Sequence, residues 1–163
     1  MLKKHTNLPS FTILELLIVI ALIIFLAKLM LPRYHTLYAK ARQTEVSLNL
    51  STLYAAQQAF QLQQGRFATT FAELDWQPKG YTGNPATTHH AYTYGCIGEQ
   101  GQEGALYFTG STQTPPSLLS GGFMRPQQFL IKAALASNET IEIWNIDHRG
   151  DITQEKRDPQ TKS

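Results

Sequence analysis

Cysteine is nearly absent from this chain of 163 residues, and charge is sparse. Cys96 is the single cysteine, so no disulfide can form within the chain. Charged residues make up 16% of the sequence and leave a net charge of +2, which gives no argument for nucleic-acid binding. The sequence also has neither a P-loop nor a G-x-S-x-G nucleophile turn. We therefore predict a protein that is not an enzyme.

One long apolar run does occur, close to the N-terminus. A short basic leader, residues 1–10, is followed by an apolar run over 11–31, and Pro32 ends it. A helix of this length spans about 30 Å, close to the thickness of one bilayer core. The basic leader favours a cytoplasmic N-terminus. The run therefore predicts a transmembrane helix over 11–31.

Glu15 is a carboxylate inside this apolar run. A charge near the centre of a bilayer is costly, so a chain that needed only an anchor has no use for it. We infer that Glu15 has a partner within the membrane. The alternatives are a secretory signal peptide, whose apolar region is usually shorter, and a plain single-pass anchor for a sensor or binding head. Neither alternative accounts for Glu15.

Residues 10–21 read Ser-Phe-Thr-Ile-Leu-Glu-Leu-Leu-Ile-Val-Ile-Ala and resemble the class III signal of type IV pilins and pseudopilins. A weaker resemblance extends to 65–69 and 141–147. In this family the prepilin peptidase removes a basic leader, and the new N-terminal Phe is N-methylated. The resemblance implies cleavage between Ser10 and Phe11 and methylation of Phe11. The family's residue before the cut is nearly always Gly, so Ser10 is predicted to slow cleavage.

The resemblance also implies how such subunits assemble. Glu15 of an incoming subunit pairs with the amino group of Phe11 on its neighbour, because two charges cost less together in hydrocarbon than apart. Repetition of this contact builds an open helical filament of identical subunits. The implied partners are further copies, the prepilin peptidase, an inner-membrane assembly platform and an assembly ATPase. No cofactor is implied.

Two functions fit the resemblance. The first is a subunit of a type IV pilus for adhesion, surface motility or DNA uptake, made as an inner-membrane precursor and then displayed outside the cell. The alternative is a pseudopilin or minor pilin of a type II secretion or competence system, which would build a short periplasmic pseudopilus. The two predicted functions require the same membrane helix and differ in what they require of the head.

Beyond Pro32 the helix is predicted to continue to Gln64, because neither Gly nor Pro intervenes before Gly65. Pro32 removes one backbone hydrogen bond and is predicted to kink the helix or let it melt locally. One face with helical spacing suits packing on a sheet, and it consists of Val46, Leu50, Leu53, Gln57 and Phe60. Further apolar residues spread around the adjacent sides: Leu37, Ala41, Leu48, Ala55, Ala59 and Leu62.

The whole pattern predicts an α+β fold: a long N-terminal helix, half transmembrane and half amphipathic, packed on a small antiparallel sheet of three or four strands. Thr70-Phe71-Ala72-Glu73 fits a capping box that opens a short helix. Strands are predicted at 91–97, 129–136 and 140–147, with a short strand at 105–109 inside a longer loop and a turn at 148–150 that leads into 151–154. Loops are predicted at 77–90 and 98–127. The head is then 32–155, followed by a disordered tail over 156–163.

Candidate chemical sites are few. His89 and His90 adjoin on a predicted loop, and we interpret them as solvated because no third metal ligand is visible. Oxygens around the predicted turn match no calcium-loop spacing, and they belong to Asn145, Asp147 and Asp151. Cys96 is predicted to be a small buried hydrophobe. We therefore predict no metal site, and packing is the expected use of the helix aromatics.

Overall fold

The computed structural model describes residues 12–98, 106–137 and 140–157. The chain divides into two compact units, Met1–Ala41 and Arg42–Ser163. One helix, α1, runs from Ile13 to Gln64 and contributes to both units. Its backbone is helical across Pro32, so the predicted local melting is not seen, and the kink stays a prediction.

Helix α1 ends where the sequence predicts. Gly65 has φ +70°, a left-handed conformation that glycine adopts at little cost, and its N–H donates to the Gln61 carbonyl at 2.8 Å. A glycine in this conformation after the last turn stops a helix and satisfies one of its free carbonyls. The predicted helix end is confirmed.

Helix α2, Phe71–Leu74, is the short helix that the capping box predicts. The Thr70 hydroxyl accepts a hydrogen bond from the Glu73 N–H at 3.3 Å. The Glu73 carboxylate reaches one residue further back than in a standard capping box, since it accepts from the Thr69 N–H at 2.7 Å. Arg66 also donates to Glu73, at 2.9 Å. Two carboxylate contacts therefore hold the turn that leads into α2.

The strands form one antiparallel sheet. They are β1 Thr93–Cys96, β2 Leu106–Phe108, β3 Phe123–Met124, β4 Phe129–Ala136, β5 Ile141–Asp147 and β6 Ile152–Arg157, with a short 3₁₀ helix at Pro116–Leu119. The order across the sheet is β2-β1-β4-β5-β6, and β3 pairs with the start of β4. Ala133 lies opposite Trp144, and Asn145 lies opposite Thr153, which fixes the register of the three longest strands.

The main core of the second unit lies between α1 and one face of this sheet. Four α1 side chains are fully buried: Val46, Leu50, Leu53 and Gln57. Alternate residues of β4 supply much of the opposite wall: Phe129, Ile131, Ala133 and Leu135. Phe60, predicted to complete the helix face, is only half-buried. A smaller cluster of Leu119, Ala134 and Ile143 covers part of the other sheet face. The α+β architecture is as predicted.

The strand count predicted from the sequence is wrong, because the described residues form six strands rather than three or four. β3 and the 3₁₀ helix lie in the segment predicted as loop, and two residues are too few to show an alternating pattern. β6 reaches Arg157, so residues 156 and 157 of the predicted tail pair with β5. Its sequence is mostly polar because it is an edge strand, and residues 158–163 lie outside the described residues.

Candidate assembly site

The N-terminal part of α1 has no cover within the described chain. Every residue from Thr12 to Leu29 is exposed. Large apolar side chains point in all directions around the helix, and Leu22, for example, is 56% exposed. An apolar surface that is continuous over several turns is unfavourable in water and marks an interaction site. We take this segment, with Glu15 inside it, as the candidate assembly site.

The first turn of α1 is capped by a side chain. The Thr12 hydroxyl accepts a hydrogen bond from the Glu15 N–H at 3.2 Å, and the Thr12 carbonyl accepts from the Leu16 N–H at 3.2 Å. Thr12 is therefore the N-cap, and Glu15 stands in the first turn, where the helix dipole favours a carboxylate. Ser10 and Phe11 lie outside the described residues, so the predicted cleavage and pairing stay predictions.

The Glu15 carboxylate is exposed, and it forms no hydrogen bond or ion pair with another described side chain. Its neighbours in sequence are apolar, so few groups close by could neutralise it. A carboxylate held at a fixed helical position on an apolar rod is chemically able to take up one cationic group. Glu15 is the only acidic residue between Thr12 and Leu29, so a contact of this kind could form at only one position along the segment.

Polar side chains hold α1 to the loops of the second unit. Gln57 is fully buried, and its amide spans the backbone of Ala68: Oε1 accepts from the Ala68 N–H at 3.0 Å, and Nε2 donates to the Ala68 carbonyl at 3.3 Å. Asn49 is also buried. It donates to the Tyr94 hydroxyl at 2.9 Å and accepts from the Lys79 N–H at 3.2 Å. These amides satisfy loop backbone groups that burial removes from water.

Glu45 extends this row of polar contacts. Its Oε1 accepts from the Ala91 N–H at 3.0 Å. Burial raises the pKa of Glu45, while the Ala91 hydrogen bond and the nearby Arg42 act in the opposite direction. The helical spacing predicted Gln57 on the core-facing side of α1, whereas the contacts of Asn49 and Glu45 were not predicted from the sequence. The available signal was the spacing, since polar residues that share a helix face with Val46 and Leu53 must find partners when buried.

His90 was predicted to be solvated, and this prediction is wrong: its side chain is 1% exposed. Its ring packs against Tyr81 and Tyr94, with centroid distances of 6.0 and 5.4 Å. Nδ1 lies 2.8 Å from the Tyr92 carbonyl and donates to it, because a carbonyl can only accept. Burial lowers the pKa of His90 and so favours the neutral ring, while the hydrogen bond to the Tyr92 carbonyl acts in the opposite direction. Loop packing brings these aromatic rings together, which the sequence pattern did not indicate. His89 is exposed, as predicted.

The turn between β5 and β6 uses the oxygens that were candidate calcium ligands. Oδ1 of Asp147 accepts from the N–H groups of Arg149 and Asp151 at 2.9 and 3.1 Å. Asp147 therefore acts as a turn residue. Within residues 12–98, 106–137 and 140–157, no group of three or more His, Cys, Asp or Glu side chains could hold a metal ion. Cys96 is buried as predicted, and burial raises the pKa of its thiol to about 11.

A long helix packed on an antiparallel sheet, with an apolar N-terminal segment, is an α+β fold consistent with that of type IV pilins. The chain is 35% identical over 70 residues to the type IV major pilin protein PilA of Myxococcus xanthus (strain DK1622). The matched stretch is 43% of this chain, and the chain spans 32% of the length of this curated relative. No protein-family profile matches the chain. The similarity supports the type IV pilin family that residues 10–21 indicated, and it points to a structural protein.

Within the part of the chain that the structure describes, no helix combines the length and the apolarity that crossing a membrane requires.

Proposed function

We propose that this protein is a subunit of a type IV pilus filament. The observation that supports the proposal is an apolar helical segment, exposed from Thr12 to Leu29, with one carboxylate, Glu15, near its start. The similarity to a major pilin agrees with a filament-forming role. In this proposal the leader is removed after Ser10, Phe11 becomes the methylated N-terminus, and residues 11–31 lie in the inner membrane until assembly.

Assembly then follows from the cost of isolated charges in an apolar environment. The Glu15 carboxylate of an incoming subunit pairs with the Phe11 amino group of a docked subunit, and this pairing sets the axial register. The apolar segment, exposed in the single chain, is covered first by lipid and then by the same segment of neighbouring subunits. The head, predicted over 32–155, faces outward and gives the filament its role in adhesion, motility or DNA uptake.

The first test is the N-terminus of the protein purified from its native host, measured by intact mass and N-terminal peptide mass spectrometry. We expect a chain that begins at Phe11 and carries one added methyl group. A chain that still begins at Met1 would contradict the processing step. Sheared extracellular filaments would support the pilus, whereas a pool confined to the cell envelope would indicate the pseudopilin alternative.

The second test addresses Glu15 directly. Glu15→Gln keeps the shape of the side chain and removes its charge, so we expect sheared filaments to fall by at least about 100-fold while the membrane-bound subunit persists. Glu45→Gln is the matched control, because it makes the same change on the same helix within the head. Wild-type filament yield from Glu15→Gln would overturn the proposed pairing.

A further inference from the structure

A surface pocket with a volume of about 520 Å³ lies beside α2 in the second compact unit. Three aromatic rings, one carboxylate, one amide and one methyl group line it, and they belong to Phe71, Trp76, Phe108, Asp75, Gln77 and Ala72. Concave sites that combine aromatic side chains with a few polar groups are typical of ligand binding. No step of the proposed filament assembly involves these residues, so the pocket calls for a separate explanation.

The aromatic rings of the pocket are held in fixed positions. The centroid of the Phe108 ring lies 5.2 Å from that of Phe71 and 5.7 Å from that of Trp76. The ring planes meet at 59° and 76°, so the three rings form a concave wall and not a flat stack. The Trp76 indole N–H donates to the Thr52 hydroxyl on α1 at 3.2 Å, which orients the indole and occupies its only donor. The rings therefore offer a ligand π surfaces and no hydrogen-bond donor.

Asp75 is the charged residue of the pocket lining. Its φ of +47° is left-handed, a conformation that Asp adopts more readily than most residues, and its N–H donates to the Ala72 carbonyl at 3.3 Å to end α2. The Glu73 carboxylate nearby is paired with Arg66, but that of Asp75 is exposed and has no ion pair or hydrogen bond with the described residues. Cations are the groups favoured at a helix C-terminus, so the pocket carries an uncompensated negative charge.

The charges of the lining indicate a cationic ligand. Aromatic faces carry negative charge density and attract an ammonium group within about 6 Å of the ring centroid. The Asp75 carboxylate and the Gln77 amide oxygen are hydrogen-bond acceptors, which a primary ammonium can use through its three donors and a quaternary ammonium cannot. The carboxylate would repel an anion, and a neutral sugar would leave its charge uncompensated. A primary ammonium therefore matches every group of the lining best.

We propose that this pocket binds a primary alkylammonium group, the chemistry of a lysine side chain, presented by a protein partner. The ammonium lies against the rings of Trp76 and Phe108, and its N–H groups donate to the Asp75 carboxylate and the Gln77 amide oxygen. The apolar stem of the lysine packs along the aromatic wall. The inference goes beyond the proposed filament role, because it concerns the head of a single subunit and holds whether or not the chain polymerises.

The test is a titration of the full-length chain, labelled with ¹⁵N and dissolved in a nonionic polyoxyethylene detergent. The chain has two tryptophans, so the indole N–H signal of Trp76 reports on the pocket and that of Trp144, packed against the core, is an internal reference. Nα-acetyl-lysine amide should move the Trp76 signal saturably at constant ionic strength, with a Kd on the order of 10 mM. Nα,Nε-diacetyl-lysine amide keeps the stem and lacks the charge, so it should have no such effect.

Two variants of the lining should change the affinity in opposite directions. Asp75→Asn removes the charge and suits the same left-handed backbone, so we expect the lysine amide to bind at least about tenfold more weakly. Gln77→Glu adds a second carboxylate at an exposed position and should tighten binding by about threefold or more. Asp151→Asn is the matched control, because it removes the same charge at an exposed position between β5 and β6.

The outcomes either support the ammonium site or overturn it. Weaker binding by Asp75→Asn together with tighter binding by Gln77→Glu would support it. Wild-type affinity in Asp75→Asn, no saturable shift, or equal binding of the diacetylated amide would overturn it. Tighter binding of choline or of a methyl glucoside would also overturn it, in favour of a quaternary ammonium or a sugar. All measurements use dissolved subunits, so none of these outcomes depends on filament formation.

Discussion

The two halves of α1 differ in whether their apolar side chains are exposed to solvent or buried. From Ile13 to Leu29, apolar side chains surround the helix and are exposed on every side, as Leu22 shows. In the second half, one apolar face is fully buried, as Leu53 shows, and polar residues occupy much of the remainder. One continuous helix therefore contains both an apolar segment that is exposed in the single chain and a segment that is part of a folded core.

The two acidic residues of α1 make the same contrast in electrostatic terms. Glu45 is half-buried and accepts a hydrogen bond from the Ala91 backbone within its own chain. Glu15 is exposed and forms no hydrogen bond or ion pair with another side chain in the described part of its chain. Glu45 therefore has a hydrogen-bond partner in its own chain, and the exposed Glu15 agrees with the proposal that the N-terminal segment pairs with another molecule.

The largest effect is expected from a pair of matched truncations. Leu53→Ala removes a fully buried side chain and should lower the free energy of unfolding of the head by about 2–5 kcal/mol. Leu22→Ala makes the same change on the same helix at an exposed position, and we expect no change in head stability. Thermal or urea unfolding of both purified variants checks this. Equal losses in the free energy of unfolding of the head for Leu53→Ala and Leu22→Ala would contradict the distinction between a buried and an exposed half of α1.

Gln57→Leu tests the polar contacts that hold the helix to the head. The variant keeps a similar volume, but it leaves the N–H and the carbonyl of Ala68 without their hydrogen bonds. We expect a loss of about 1–3 kcal/mol in the free energy of unfolding. Gln63→Leu is the control, because Gln63 is exposed on the same helix. If Gln57→Leu left the free energy of unfolding unchanged, the Gln57 side chain would contribute to stability through packing alone.

Two carboxylates of the head should respond to pH with opposite signs. The hydrogen bond from Arg66, followed by that from Thr69, lowers the pKa of Glu73 from 4.5 to about 2. Its folded-state pKa is below the unfolded value, so its contribution to stability is present above pH 4.5 and lost as the pH falls through 2. Burial raises the pKa of Glu45, so its contribution is present below 4.5 and lost as the pH rises through the folded-state value.

The measurement is the thermal midpoint of each Gln variant against wild type from pH 7 to pH 2. Glu73→Gln should have a lower midpoint than wild type at pH 7, and the gap should close on acidification. Glu45→Gln should have a higher midpoint at pH 7, with a gap that closes below pH 4.5. Gaps that do not change with pH would contradict the assigned causes. The Glu73 effect should be small, because its pair with Arg66 is partly exposed and is screened by salt.

The smallest effect is expected at the N-cap of α1. Thr12→Ala removes the hydroxyl that accepts from the Glu15 N–H, whereas Thr12→Ser retains it. Loss of a cap costs about 1 kcal/mol locally, so the Glu15 amide should exchange with solvent roughly fivefold faster. The thermal midpoint of the head should not move, since the cap lies in the other compact unit. Amide hydrogen exchange by mass spectrometry measures the rate at the Glu15 amide in both variants, and thermal unfolding measures the midpoint of the head.

Local signals predicted much of the fold. The helix from Thr12 to Gln64 and the stop at Gly65 followed from spacing and from the position of glycine, and both are close to the observed bounds. β4 was predicted with its observed bounds because seven of its eight residues are apolar, Lys132 being the exception. β3 and β6 were missed, since a two-residue strand has no period and an edge strand carries polar residues on both faces.

The candidate assembly site depends almost wholly on the sequence. Glu15 stands out because a carboxylate interrupts an apolar run, and this is visible without any tertiary contact. The hydrogen bonds that connect α1 to the rest of the head could not be predicted in the same way. Gln57 meets Ala68, and Asn49 meets Tyr94, through contacts between distant parts of the chain. Propensity and period report on neighbours along the chain, and they carry no information about which loop reaches a buried amide.

The sequence by itself determined the long helix, its apolar first half, the position of Glu15 and the α+β class, because each of these depends on residues close together in the chain. Only the tertiary structure decided that His90 is buried among tyrosines, that Asp147 holds a turn and that six strands form the sheet. The physical reason is that burial is a property of the packed chain. A side chain loses water only when residues far away in sequence close over it.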